Sequence, residues 1–113
     1  MQDTPLSTHD AAADDRNDDI LIYVDGRIVP RAEAVVSVYD SGFMLGDGIW
    51  EGLRLYDGHI PFFDDHLDRL FEASAYTEIE IGLDRAALKA AVRDVLSANQ
   101  METDVHIRLM VTR

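Results

Sequence analysis

Apolar and polar residues alternate along this chain with two different periods, and the change of period marks out its elements. Near the start, "ILIYV" and "RIVP" flank Asp25-Gly26. A two-residue Asp-Gly link between β-rich runs predicts a hairpin, because both of its central residues tolerate positive φ. "AVVSVY" reads as a third extended segment, followed by the loop "DSGFMLGDG". "IWEGLRLY" then alternates with a period of two, and Asp57-Gly58 repeats the hairpin signal and returns the chain through "HIPFF".

The period then lengthens. Asp64 and Asp65 stand as acidic caps before "HLDRLFEASAY", where Leu67, Leu70, Phe71 and Ser74 form a stripe at helical spacing. A second helix starts at Asp84, with Leu83 and Leu88 placed as a hydrophobic staple. Its apolar face is Leu88, Ala91, Val92, Val95 and Leu96, and Asn99 ends it. "DVHIRLMVTR" alternates again, with Val105, Ile107, Leu109 and Val111 on one face and His106, Arg108, Met110 and Thr112 on the other. Hairpins, two helices and a returning strand predict an α+β fold, a largely antiparallel sheet with two helices packed on one face.

Composition narrows what such a domain does. A chain of 113 residues that is 47% hydrophobic suits one domain with an ordinary core. Residues 1–19 carry six aspartates against one arginine without apolar periodicity, so residues 1–18 are expected to form a mobile acidic tail ahead of a domain at 19–113. A net charge of −12 without a basic stripe argues against nucleic acid or anionic membrane as partner. The absence of cysteine excludes disulfides and thiolate chemistry, and with no export signal or membrane span legible the expected location is cytoplasmic. The four histidines have no compact ligand spacing, so no metal is expected. Nine of the ten basic residues are arginine, and Lys89 is the only lysine.

The glycines of "GDG" are not those of a phosphate-cradling loop, because a strand rather than a helix follows them. On that strand Trp50, Gly52, Arg54 and Tyr56 share one face, and Ile49, Glu51, Leu53 and Leu55 the other. A glycine between a large aromatic and a cation marks either close approach by a ligand or a bulge beside a half-exposed face. Arg108 faces the same way as His106, so Arg54 and Arg108 together suit a carboxylate or phosphate, or else are solvated. Arg69, at the rim of the first helix, is open to three readings: an anion ligand, a snorkelling side chain or a partner of Asp65.

The stretch "VVSVYDSGFMLGDGIWEGLRLYDGHIPFFDDHLDRLFEAS", with "YVDGRIV" before it and "HIRLMVTR" after it, resembles the N-terminal domain of class IV pyridoxal-phosphate aminotransferases. That group holds branched-chain aminotransferases, D-amino acid aminotransferases and aminodeoxychorismate lyases, and the resemblance runs from about Ile20 to Arg113. It implies pyridoxal 5'-phosphate as cofactor, an amino acid and a 2-oxo acid as substrates, and a homodimer in the full-length protein. By the same resemblance Arg69, in the His-x-x-Arg-Leu helix, would hold the cofactor phosphate, while Trp50, Gly52, Arg54, His106 and Arg108 would line the substrate site. "EGLR" with "HIR" looks closer to the branched-chain members, where an arginine at the Arg108 position receives the distal carboxylate of glutamate. Trp50, Leu45 and Ser41 depart from the residues common in the family.

The resemblance places the cofactor-bearing lysine in a second, downstream domain, so no catalytic residue is assigned here and the chain by itself is expected not to transaminate. Lys89 lies off the apolar stripe of its helix and is expected in solvent. The alternatives are a lyase or D-amino acid aminotransferase of the same family, or a non-catalytic domain that binds a small ligand or a partner.

Overall fold

A computed structural model of the chain describes residues 14–113; the expected tail at 1–13 lies outside the described residues. The rest of that expected tail is not free. Asp15–Asn17 form a 3-10 turn capped by Asp14, and the Arg16 guanidinium donates to the backbone carbonyls of Thr103 and Asp104, both at 2.8 Å. The acidic composition concealed one arginine with two carbonyls within reach.

The first hairpin forms as the Asp-Gly pair predicts, with β1 (Leu21–Val24) antiparallel to β2 (Arg27–Pro30) and φ of 50° at Asp25 and 83° at Gly26. The segment at 34–39 does not become a strand. Val35, Val36, Val38 and Tyr39 stay exposed and join no ladder, since β-branched residues favour a strand only where a neighbour and an apolar face receive them. The loop after it contains a short helix, α1 (Ser41–Leu45). Asp40 caps it by accepting from the Gly42 N–H at 2.9 Å, and Gly46 ends it at φ 68°, a left-handed turn that glycine makes without strain. The glycine-rich loop is therefore a helix stop that delivers β3 (Gly48–Leu55).

The second Asp-Gly turn also forms, but the returning chain makes only one bridge, Tyr56 with His59, before Pro61, which has no N–H for a ladder. Helix α2 (Phe63–Thr77) follows. Asp64 and Asp65 lie in its first turn, where they suit the helix dipole, and are not its caps; the cap position is Phe62, exposed and at φ 57°. Helix α3 (Arg85–Ala98) starts as expected, with Asp84 accepting from the Ala87 N–H, and ends at Asn99. The Asn99 side chain accepts from the Leu21 N–H at 2.8 Å and donates to the Leu21 carbonyl at 2.9 Å, so one amide ties α3 to the edge of β1.

The last strand, β4 (Val105–Thr112), pairs antiparallel with β3, in a register that sets Trp50 opposite Met110, Gly52 opposite Arg108 and Arg54 opposite His106. The α+β expectation holds, as two separate two-stranded antiparallel sheets. Both long helices cover one face of the β3–β4 sheet, where Ile49, Leu53, Leu55 and Ile107 pack against Leu67, Leu70, Leu88, Val92 and Leu96. Truncating a fully buried leucine such as Leu53 or Leu67 to alanine should cost about 2–5 kcal/mol. The opposite face is left open.

Candidate functional site

Alternation along β3 and β4 gathers five of the six singled-out residues on that open face. Trp50 is 54% exposed and Met110 57%, while Arg54, His106 and Arg108 are also exposed. The Arg108 guanidinium lies over the Trp50 ring, 4.3 Å from its centroid, a stacked cation–π arrangement that fixes a flexible side chain on a rigid plate. Gly52 lies where the His106 ring crosses the strand. A β-carbon there would stand 3.1 Å from His106 Nε2 and 3.7 Å from the Trp50 ring, so the missing side chain makes room for His106 to lie across the strand.

Arg69 is not on this face. It reaches from α2 to Glu51, on the helix side of β3, donating from Nε to Oε2 at 3.0 Å and from Nη2 to Oε1 at 2.7 Å. Of the three readings, the pair with Asp65 is replaced by one with Glu51. His66 Nδ1 lies 2.7 Å from the same Oε1. Glu51 is only 6% exposed, and its carboxyl is held below the usual carboxylate range by the Arg69 hydrogen bonds first and that of His66 second, against an opposing effect of burial. Sequence reasoning passed over Glu51. The signal was there, because a carboxylate alternating with Ile49, Leu53 and Leu55 points into the core and needs partners.

Phe62, Asp65, His66 and Arg69 line a shallow hollow of about 280 Å³. The Arg69 side chain is 70% exposed, and its Nη1 enters no hydrogen bond among the described residues. Because β3 pairs with β4 alone, its other edge is open among the described residues. Lys89 belongs to neither set: it pairs with Asp64 and lies over the Phe63 ring on the helix side, and is partly covered rather than fully solvated. Among the described residues no group of His, Asp or Glu could hold a metal ion, and no helix is long and apolar enough to cross a membrane.

Residues 48–113, more than half of the chain, match the sequence profile described as Amino-transferase class IV. The chain belongs to the class IV aminotransferase family. It is 41% identical over 97 residues to branched-chain-amino-acid aminotransferase-like protein 1 of Arabidopsis thaliana, a match that covers 86% of this chain and 18% of that protein. It is 33% identical over 92 residues to the D-alanine aminotransferase of Bacillus licheniformis, covering 81% and 32%. Among solved structures it resembles the T.th. branched-chain amino acid aminotransferase complexed with N-(5'-phosphopyridoxyl)-L-glutamate, with a TM-score of 0.74 and 26% identity over 81% of this chain and 32% of that one. The chain thus spans about a third or less of the length of these class IV relatives.

Proposed function

We propose that this chain is the N-terminal domain of a pyridoxal-phosphate-dependent aminotransferase that moves an amino group between a branched-chain amino acid and a 2-oxo acid. The observation that carries the reading is the open β3–β4 face, where an aromatic plate and two guanidinium groups flank a strand with a glycine at its centre. An aliphatic substrate calls for apolar surface such as Trp50 and Met110, and a dicarboxylate calls for a guanidinium fork.

The donor chemistry of Arg69 fits a phosphate group: two of its nitrogens are spent on Glu51, and Nη1, beside the hollow that Arg69 lines, keeps its N–H donors unspent among the described residues. When bound, pyridoxal phosphate supplies the electron sink that lets an amino acid release its α-proton and pass on its nitrogen. In this reading Arg69 binds the phosphate, Arg54 and Arg108 orient substrate carboxylates, Trp50 keeps Arg108 in place and excludes water, and His106 narrows the floor above Gly52. The apolar stretch at 35–45, exposed here, suits the cover that a cytoplasmic homodimer would give it.

The test is amino transfer by the full-length protein to 2-oxoglutarate from L-leucine, L-isoleucine, L-valine and D-alanine, read as glutamate formed, alongside the absorbance of bound cofactor. The branched-chain donors should exceed D-alanine by about tenfold or more in kcat/KM. Preference for D-alanine would overturn the substrate assignment, and absence of both cofactor absorbance and transfer would overturn the enzyme reading.

A further inference from the structure

Glu51 is the one charged residue buried among the described residues, on a sheet face otherwise built from Ile49, Leu53 and Leu55. Placing a carboxylate there is unfavourable unless both oxygens are satisfied, and a well-packed apolar side chain at such a position commonly serves stability as well or better. Stability alone therefore does not account for it. Its partners are informative: Oε2 takes Arg69 Nε, and Oε1 takes both Arg69 Nη2 and His66 Nδ1. The two bonds to Arg69 grip the guanidinium along one edge and fix its plane, although the side chain is otherwise mostly in solvent.

We infer that Glu51 is a positioning residue: it clamps the Nε and Nη2 edge of Arg69 and seats His66, so that the Nη1 edge is presented to the phosphate of the cofactor. The inference rests on the proposal that Arg69 binds that phosphate. Two effects of Glu51 oppose each other. Its negative charge weakens the attraction of Arg69 for an anion, but Arg69 is solvent-exposed, where such effects are strongly screened. Releasing the clamp frees a long side chain whose rotamer entropy corresponds to as much as about 30-fold in affinity. Positioning wins, and losing Glu51 should weaken cofactor binding.

The experiment measures dissociation constants of the full-length apoprotein for pyridoxal phosphate and for pyridoxal, which lacks the phosphate, by fluorescence titration. The variants are Glu51→Gln, Arg69→Ala and the two together. Glu51→Gln should weaken pyridoxal phosphate by about 5- to 30-fold, change pyridoxal by less than about twofold, and add nothing further in the Arg69→Ala background. If Arg69→Ala leaves pyridoxal phosphate binding unchanged, the phosphate assignment fails and the inference with it. If Arg69→Ala weakens binding while Glu51→Gln leaves it unchanged or tightens it, the assignment stands and the inference falls. Equal losses of both ligands in Glu51→Gln would mark Glu51 as a fold residue and overturn the positioning role. Should Glu51→Gln not fold, Glu51→Asp keeps the charge and withdraws the clamp by one methylene; the same phosphate-specific loss supports the inference, and its absence refutes it.

Discussion

Gly52→Ala separates what the open face does for stability from the substrate role proposed for it. The φ of Gly52 is outside the left-handed region, so alanine is allowed there, and relieving a mid-strand glycine gains about 0.5–1 kcal/mol. Against this, the new methyl would lie 3.1 Å from His106 Nε2, closer than van der Waals contact. The neighbour is the far end of an exposed side chain and swings aside for less than the gain, so folding stability should hold or rise by about 0.5 kcal/mol. His106 then no longer lies across the strand and the floor is raised by a methyl group, a displacement near 1 Å of the kind that lowers kcat/KM by about 10- to 100-fold. Chemical denaturation and steady-state transamination of the full-length protein read the two quantities separately. A stability loss above about 1 kcal/mol would mean that the backbone, not His106, is what crowds Gly52. Unchanged kcat/KM would remove this face from the substrate site.

Arg108→Ala should lower kcat/KM for glutamate or 2-oxoglutarate by roughly 10- to 150-fold while leaving a branched-chain substrate nearly unaffected, since only the dicarboxylate presents a distal charge; equal losses in kinetics of both substrates would point to folding or to the shared α-carboxylate. Asn99→Ala removes the amide that bonds Leu21 and the Val95 carbonyl, and should destabilise the protein by about 1–3 kcal/mol in urea unfolding without altering cofactor affinity. The Glu51 carboxyl is depressed in the folded state chiefly by Arg69, so its contribution to stability is complete above the ordinary value of 4.5 and is lost as pH falls through the lower folded value. Denaturation midpoints of wild type should therefore fall more steeply below that pH than those of Glu51→Gln, and parallel curves would contradict the linkage.

The elements that carried their own local chemistry were legible in the sequence. Asp25-Gly26 and Asp57-Gly58 dictated their turns, Asp84 and Asn99 bounded α3, and strict alternation identified both faces of β3 and β4. What escaped depended on partners distant in sequence. Val35 to Tyr39 have strand propensity but no ladder to join, α1 is too short to show a period, and the docking of Arg16 needs a turn 87 residues away. For the candidate site, the open face followed from period two alone. The Arg69 environment did not, because its partner Glu51 comes from another element and stood on the strand face to which no role was assigned.

The division of labour within β3 also bears on how this family can change its substrates. Residues 49, 51, 53 and 55 face the helices, while 50, 52 and 54 face outward, so one strand writes the fold on one set of letters and, under the proposed function, specificity on the other. Drift at the even positions can reshape what is bound without disturbing the hydrophobic packing, and deep mutational scanning of the strand should show tolerance for folding rising and falling every second residue. Glu51 would break that rhythm: it sits on a folding letter but, through Arg69, answers to selection on binding.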